Sequence, residues 1–373
     1  MTDFPFDRLR RWPDVEAPNL FAADASDRLI LDTAGDAVAT SGPGDVVVIG
    51  DRYGALTLAA AAAGASGIRV HQDDLSGERA LAANAAAFDM TDAFTNVPLD
   101  VSAVRVARVV LLQLPRSLDA LAEMADLLAR HASPDVVVYA GGRVKHMTPA
   151  MTEVLGRSFG TVTASLAHQK SRMLVARAPQ PSTGVPSWPA REFHDDLGLW
   201  VCAHGAAFAG TKIDIGTRFL LGFLGGLPAA REAIDLGCGT GVLATAVARA
   251  HPELRVTATD QSAAAVASAR ETVLANGVAD RVTVVRDDGL SGRADASAEL
   301  IVLNPPFHVG ATVHAGIAVK LFEDAARVLT PGGELWTVWN SHLGYRQTLE
   351  RLIGPTRQLG RNAKFTVTVS TKR

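Results

Sequence analysis

A short motif, Asn304-Pro305-Pro306-Phe307, follows an apolar run and combines two hydrogen-bond acceptors with an aromatic ring. The side-chain oxygen of Asn304 is one acceptor, and a backbone carbonyl at Pro305, held by the consecutive prolines, is the other. Two such acceptors can bind the hydrogens of an amino group on a planar ring and leave the nitrogen lone pair directed at an electrophile, while Phe307 stacks on the ring. Because positioning alone supplies several kcal/mol, the motif predicts group transfer to an amino nitrogen without a strong base.

A second motif is a glycine turn that follows the apolar run 233–236. Its members are an acid and four small residues: Asp235, Gly237, Cys238, Gly239 and Gly241. Glycines permit a tight turn and let the backbone approach a ligand closely, and Cys238 is expected to pack within the turn. The next β-branched segment ends on Asp260, where a carboxylate is placed to hold both hydroxyls of a ribose. By itself, such a glycine turn could also belong to an enzyme that binds a nicotinamide cofactor.

Both motifs stand at the ends of predicted strands. Apolar runs alternate with helical segments, which predicts a doubly wound, mostly parallel α/β sheet. The predicted elements of the second half are strands at 233–236, 254–260, 282–288 and 299–303, a helix near 317–329, a turn at 331–333 and a strand at 334–339. Ligands of such sheets bind at the carboxyl ends of the strands, so we expect both motifs and Asp260 to share one edge.

Composition excludes several classes of protein. Of the 373 residues 48% are hydrophobic, which excludes wholesale disorder, and the net charge of −3 excludes a polycation. Two cysteines without a CxxC pair indicate neither a disulfide framework nor a metal site. The first 14 residues lack the apolar core of a secretory signal, and the apolar run 56–65 is too short to cross a bilayer. We therefore expect a cytoplasmic protein.

The two halves of the chain repeat each other at an offset of 187 residues. Gly50 and Gly54 precede Gly237 and Gly241 by this number, and Asp73 precedes Asp260 by the same number. A proline-rich segment separates the halves, and proline-rich segments are typical of linkers. The predicted organisation is a first domain, a linker and a second domain: 1–178, 179–192 and 193–373.

The first half lacks side chains that the second half keeps. Arg52 stands where Gly239 would, so that a side chain enters the turn. Gln113 begins the sequence Gln-Leu-Pro-Arg in place of Asn-Pro-Pro-Phe, which removes the two-proline carbonyl and the aromatic ring. We expect the first half to be catalytically inactive. Surplus basic residues in 141–177 and 351–373 are candidates for contact with phosphates.

These features resemble a known family. The glycine turn after Asp235, with Asp260, resembles motif I and the second motif of class I S-adenosylmethionine-dependent methyltransferases, and NPPFH at 304–308 is similar to the motif of the bacterial ribosomal RNA guanine-N2 methyltransferases. Segments at 204–221, 339–343 and 362–365 are also like those of that family. The resemblance implies two tandem Rossmann-like class I methyltransferase domains, the first degenerate.

The resemblance implies roles for further residues. Asp288 would bind the adenine amino group of S-adenosylmethionine, with the adjacent Asp287 as the alternative. Three residues that precede the glycine turn would line the cofactor pocket near the methionine part: Phe208, Asp214 and Gly216. For Asp214 the role of a helix N-cap stays open. Four residues would lie on the substrate side, the first two beside Asn304 and the last two near the C-terminus: Pro306, His308, Lys364 and Phe365.

The implied activity is methylation of the exocyclic N2 amino group of a guanosine in ribosomal RNA. The implied partner is ribosomal RNA or a ribosomal subunit, and we expect a monomer because one chain holds two copies of the domain. A base inside a helix cannot reach such a pocket, so the nucleotide is expected in a loop or flipped out. Three alternatives stay open: a protein-glutamine N5 methyltransferase, an adenine-N6 methyltransferase and a non-catalytic RNA-binding or ribosome-assembly factor.

Overall fold

The chain forms two compact units, Met1–Trp188 and Pro189–Arg373, each built on its own sheet. The computed structural model describes residues 4–14, 16–185, 187–306 and 311–373, with side chains throughout except in 311–315. The division between the units falls inside the segment 179–192 that the sequence marks as a linker.

The first unit is a seven-stranded sheet with helices between its strands. Its strands are β1 Val46–Ile49, β2 Ile68–His71, β3 Phe94–Asn96, β4 Val109–Gln113, β5 Val137–Arg143, β6 Phe159–Ala164 and β7 Ser171–Pro179. Its helices are α1 Ala25–Ala39, α2 Ala55–Ala62, α3 Leu75–Ala87, α4 Val101–Val104, α5 Leu118–His131 and α6 Pro149–Gly156. The strand order is β3-β2-β1-β4-β5-β7-β6, with β7 antiparallel to both of its neighbours.

The second unit begins with a two-stranded hairpin, β8 Ala190–His194 and β9 Leu199–Ala203. Its other strands are β10 Glu232–Leu236, β11 Arg255–Asp260, β12 Val282–Arg286, β13 Ala298–Leu303, β14 Leu329–Asn340, β15 Thr356–Arg361 and β16 Phe365–Thr371. Its helices are α7 Ile215–Leu221, α8 Val242–Ala250, α9 Ala263–Ala275, α10 Ala311–Val328 and α11 Arg346–Leu352. The order β12-β11-β10-β13-β14-β16-β15 repeats the topology of the first sheet strand for strand.

The structure differs from the expected elements at four places. The strand expected at 282–288 ends at Arg286, so Asp287 and Asp288 follow it rather than end it. The hairpin partner β8 begins at Ala190, inside the expected linker, because Ala190 pairs with Ala203 of β9. The helix expected near 317–329 begins at Ala311. The Pro-Gly-Gly sequence expected as a turn lies within β14, which pairs with β13 through a register shift next to Ala298.

The core of the second unit lies on both faces of its sheet. Alternate residues of a strand point to opposite faces, so Leu300 packs in one apolar cluster and Ile301 in another. Buried Trp336 belongs to the first cluster and Phe322 of α10 to the second. Leu236 of β10 pairs with Leu303 of β13 and with Thr259 of β11, which aligns the carboxyl ends of these three strands.

Candidate functional site

The glycine turn after β10 leaves space beside its backbone. Gly237 and Gly239 have φ of +71° and +53°, the left-handed region that favours glycine. Among the described residues, a methyl group added at either position would meet no heavy atom within 4 Å beyond its chain neighbours. At Gly241 the added methyl group would lie 2.9 Å from Cβ of Ala269. Gly241 therefore allows α8 and α9 to pack closely, while Gly237 and Gly239 border open space.

The carboxylate of Asp260 is held against this turn. Its Oδ2 accepts a hydrogen bond from the backbone N–H of Gly239 at 2.9 Å, and its Oδ1 accepts one from Ser262 at 3.0 Å. The peptide N–H groups of Gly237 and Cys238 donate to the carbonyl of Thr259. The end of β11 and the glycine turn thus form one hydrogen-bonded unit, and Asp260 lies half-buried at its rim.

Asp235 and Cys238 contribute to the turn from inside the protein. Oδ2 of Asp235 accepts from the N–H of Ala244 in α8 at 2.8 Å, and Oδ1 accepts no hydrogen bond from the described residues. Burial raises the pKa of the Asp235 carboxyl to about 7. Burial also raises the pKa of the Cys238 thiol well above its usual range, and the Cys238 side chain packs in the apolar core. Both side chains are buried.

The two adjacent acids after β12 have different surroundings. Asp287 accepts from the hydroxyl of Ser291 at 2.5 Å and from the N–H of Gly292 at 2.9 Å, so it holds its own loop together. Asp288 forms an ion pair with Lys320 of α10 at 2.6 Å. Lys320 is not recognisable from the sequence, because a lysine on an amphipathic helix is ordinarily a solvated charge.

Asn304 follows β13 directly and lies at the same edge of the sheet. Its Nδ2 donates to Oδ2 of Asp214 at 3.0 Å and to Oγ1 of Thr217 at 2.9 Å. Its Oδ1 is buried and accepts no hydrogen bond from the residues that the structure describes. Pro305 is buried and Pro306 is exposed. The predicted residues Phe307 and His308 lie outside the described residues.

Asp214 is the N-cap of α7, the role that the sequence left open. Its Oδ2 accepts from the N–H of Gly216 at 2.9 Å and of Thr217 at 3.2 Å, in addition to the bond from Asn304. A methyl group at Gly216 would lie 2.9 Å from that Oδ2, 3.2 Å from the ring of Phe365 and 3.3 Å from Oδ1 of Asn304. The structure therefore brings four of the predicted site residues to one point: Asp214, Gly216, Asn304 and Phe365.

The predicted residues Phe365, Phe208 and Lys364 differ in exposure. Phe365 is only 6% exposed and packs in the core, with its ring edge towards Gly216. Phe208 is 60% exposed, and Lys364 is exposed in the turn between β15 and β16. That turn is closed by Asn362, whose Oδ1 accepts the N–H groups of Lys364 and Phe365 at 2.9 and 2.7 Å. Lys364 is therefore presented at the edge by a fixed backbone.

The first unit fills the corresponding positions differently. Gln113 ends β4, one residue beyond the partner of Ile49, as Asn304 lies one residue beyond the partner of Leu236. The Nε2 of Gln113 donates to Asp27. The hydroxyl of Ser26 lies 3.2 Å from Oε1 of Gln113 and donates to Oδ1 of Asp24 at 2.5 Å. A hydroxyl therefore covers the amide oxygen in the first unit, whereas the amide oxygen of Asn304 has no hydrogen-bond donor among the described residues.

The glycine turn of the first unit has also changed. Arg52 occupies the position that corresponds to Gly239, and its φ is not positive. Its side chain forms an ion pair with Asp74 at 3.3 Å. Asp51 accepts from the N–H of Thr57 at 2.7 Å, the bond that Asp235 makes to Ala244 in the second unit. In the first unit this hydrogen bond is therefore accepted by Asp51 within the turn, whereas in the second unit it is accepted by Asp235, which precedes the turn.

None of the helices in the described part of the chain is long and apolar enough to cross a membrane. Within the same part of the chain, His, Cys, Asp and Glu side chains form no group of three that could hold a metal ion.

Known proteins match both units. The Methyltransferase small domain matches residues 198–369, and the RLMG N-terminal domain matches residues 2–180. Ribosomal RNA large subunit methyltransferase G of Streptomyces avermitilis is 37% identical over 98% of this chain and 97% of its own length. The Pseudomonas aeruginosa protein of the same name is 36% identical over 96% of each chain.

A solved structure is similar over both units. The T. thermophilus 16S rRNA N2 methyltransferase RsmC, in complex with AdoMet and guanosine, superimposes with a TM-score of 0.73 at 20% identity and covers 94% of this chain and 92% of its own. The expectation of two tandem α/β methyltransferase domains is confirmed, as is the expected family of ribosomal RNA methyltransferases. By its similarity to the curated relatives along almost its whole length, the chain belongs to the ribosomal RNA large subunit methyltransferase G family.

Proposed function

We propose that this chain transfers a methyl group from S-adenosylmethionine to the exocyclic N2 amino group of a guanosine in ribosomal RNA of the large subunit. The observation that carries the proposal is the orientation of the Asn304 amide: both N–H groups donate to protein acceptors, and the buried oxygen accepts no hydrogen bond from the described residues. Family membership supports ribosomal RNA as the substrate, and the relatives' name supports the large subunit.

The residues at the edge of the second sheet fit S-adenosylmethionine. This cofactor supplies an electrophilic methyl group on a sulfonium. The open space beside Gly237 and Gly239 admits a ligand against the backbone, and Asp260 lies at its rim, where it would hold the ribose hydroxyls. Asp288, whose Oδ1 also pairs with Lys320, would bind the adenine amino group, because both carboxylate oxygens of Asp287 are engaged in its own loop. Asp235 would contribute indirectly, because its hydrogen bond from the N–H of Ala244 fixes the start of α8 next to the turn.

The substrate side of the site would work by positioning. Oδ1 of Asn304 would accept one hydrogen of the guanine amino group and the carbonyl of Pro305 the other, so that the nitrogen lone pair faces the methyl donor. No side chain needs to remove a proton first, because the proton leaves after the nitrogen has become cationic. Stacking by Phe307 stays a prediction, as does a contact of Lys364 and Phe365 with the nucleotide.

The expected setting follows from the substrate. We expect the enzyme to act as a monomer in the cytoplasm on ribosomal RNA or a large ribosomal subunit. Exposed Lys364, at the same edge as Asn304, is a candidate for contact with a phosphate of the flipped nucleotide.

Methyl transfer from labelled S-adenosylmethionine to purified ribosomal RNA of each subunit tests this proposal. Naked RNA and isolated subunits are supplied separately, and the labelled nucleoside is identified by mass spectrometry after digestion. We expect N2-methylguanosine from the large subunit. Labelled N6-methyladenosine, or label in a protein fraction, would replace the proposal by the adenine or glutamine alternative, and no label in any fraction would favour the assembly-factor alternative.

A further inference from the structure

We propose that Thr217 is a positioning residue that fixes the orientation of the Asn304 amide. The inference rests on the proposed function of Asn304, since it states how that side chain keeps its oxygen towards the substrate. Nothing in the sequence connects the two residues, which are 87 positions apart and meet only in the fold.

The two ends of an asparagine amide have nearly the same shape but opposite hydrogen-bonding character. If the amide of Asn304 turned over, two N–H groups would face the substrate amino group, and donors would oppose donors. The orientation in the structure depends on two acceptors around Nδ2, which are Oδ2 of Asp214 at 3.0 Å and Oγ1 of Thr217 at 2.9 Å. Each takes one of the two hydrogens, so the oxygen is directed away from both.

Both acceptors belong to the start of α7. Asp214 is the N-cap, and its bonds to the N–H groups of Gly216 and Thr217 tie its carboxylate to the helix backbone. Asp214 favours this orientation of the Asn304 amide because a carboxylate can accept hydrogen bonds but not donate them. Thr217 accepts the second hydrogen of Nδ2. Without that hydroxyl a buried N–H would stay unpaired, which costs about 1–3 kcal/mol, and Asp214 alone would hold the amide.

The first unit shows the result of a different arrangement of the same groups. Asp27 occupies the third position of α1, as Thr217 does in α7, and it accepts from Nε2 of Gln113. The hydroxyl of Ser26 at the second position lies 3.2 Å from the amide oxygen and shares its one hydrogen with Oδ1 of Asp24, whereas the second position of α7 is Gly216. A hydroxyl beside the amide nitrogen leaves the amide oxygen for the substrate, and a hydroxyl beside the amide oxygen covers it.

The test compares Thr217→Val, which keeps the shape but removes the acceptor, with Thr217→Ser, which restores it. With ribosomal RNA as substrate we expect kcat of Thr217→Val to fall about 10- to 100-fold, while KM and the dissociation constant for S-adenosylmethionine stay within about threefold. Thr217→Ser is expected to recover most of kcat. Unchanged kcat in Thr217→Val, a serine variant as impaired as the valine variant, or a loss of cofactor affinity equal to the loss of kcat would overturn the proposal.

A second measurement is independent of activity. The side-chain amide of Asn304 is observed by NMR in ¹⁵N-labelled protein and assigned from its loss in Asn304→Asp. We expect both amide protons to exchange slowly with solvent in the wild type and one of them to exchange faster in Thr217→Val. Equal exchange in the two proteins would contradict the role of Thr217. If the wild type methylates no ribosomal RNA, the proposed function fails, while this comparison still decides the role of Thr217.

Discussion

Nδ2 of Asn304 lies 3.0 Å from Oδ2 of Asp214, although 90 residues of sequence separate the two side chains. The same Oδ2 caps α7, so a single carboxylate oxygen links the end of β13 to the beginning of that helix. The start of the helix and the residue expected to bind the substrate therefore form one structural unit. A change in the first turn of α7 is expected to reach the substrate through Asn304.

Replacement of Asn304 should separate turnover from cofactor binding. We expect Asn304→Ala to reduce kcat by about 100-fold or more, because an acceptor for the amino group is lost. The affinity for S-adenosylmethionine, measured by calorimetry, should stay near that of the wild type. Gln113→Ala, at the corresponding position of the first unit, is the control and should keep turnover. Comparable losses of affinity and turnover in Asn304→Ala would argue against its role on the substrate side.

Asp260 and its counterpart Asp73 should differ in their effect on the cofactor. Asp260→Ala removes the carboxylate that accepts from Gly239, so calorimetry should show weaker binding of S-adenosylmethionine by about tenfold or more. Asp73→Ala should bind like the wild type, because Arg52 and Asp51 have changed the turn of the first unit. The wild type should bind one cofactor per chain. A stoichiometry of two would show that the first unit has kept a site.

A serine at Gly216 should cover the amide oxygen of Asn304, as Ser26 covers that of Gln113 in the first unit. The new Cβ would lie 3.3 Å from Oδ1 of Asn304 and 2.9 Å from Oδ2 of Asp214, so the carboxylate must shift and the oxygen becomes crowded. We expect kcat of Gly216→Ser to fall by about 100-fold, with circular dichroism unchanged. The reverse replacement in the first unit, Ser26→Gly, should leave turnover at the wild-type rate. A fully active Gly216→Ser would refute the comparison between the two helix starts.

The buried carboxyl of Asp235 should make stability depend on pH. Burial raises its pKa from 3.8 to about 7 in the folded chain, so between these values the folded chain binds a proton that the unfolded chain has released. Its contribution to the free energy of unfolding is complete below pH 3.8 and is lost as the pH rises through about 7. Asp235→Asn keeps an oxygen for the N–H of Ala244 and should remove this part of the slope.

Urea denaturation of the cofactor-free protein, followed by tryptophan fluorescence at several pH values, measures that slope. Asp280→Asn is the control, since the side chain of Asp280 is 73% exposed and its replacement should keep the wild-type dependence. Parallel curves for the wild type and Asp235→Asn would contradict the raised pKa.

The sequence predicts most of the fold because its signals are local. The glycines at 50, 54, 237 and 241 fix two turns, and the apolar runs before them become buried central strands. The sequence does not predict the hairpin of β8 and β9, because its first strand follows prolines directly and has little apolar pattern. The residue types of the Pro-Gly-Gly sequence predict a turn, although pairing with β13 extends β14 through it.

The candidate site is predictable only in part. Asp235, Gly239, Asp260 and Asn304 follow from strand ends, since the carboxyl ends of parallel strands meet at one edge. Thr217 could not be found this way, because its role depends on a contact between α7 and the residue after β13. An acid followed three residues later by a hydroxyl is an ordinary helix start, and its partner is defined only in three dimensions.

Methylation of a guanosine in ribosomal RNA of the large subunit can be measured in the cell. The N2-methylguanosine content of ribosomal RNA is determined by nucleoside mass spectrometry in a strain without this gene, in its parent, and in the deletion strain complemented by the wild type or by Asn304→Ala. We expect the loss of one N2-methylguanosine per large subunit, restored by the wild type and not by the variant. An unchanged N2-methylguanosine content in the large subunit of the deletion strain would contradict it.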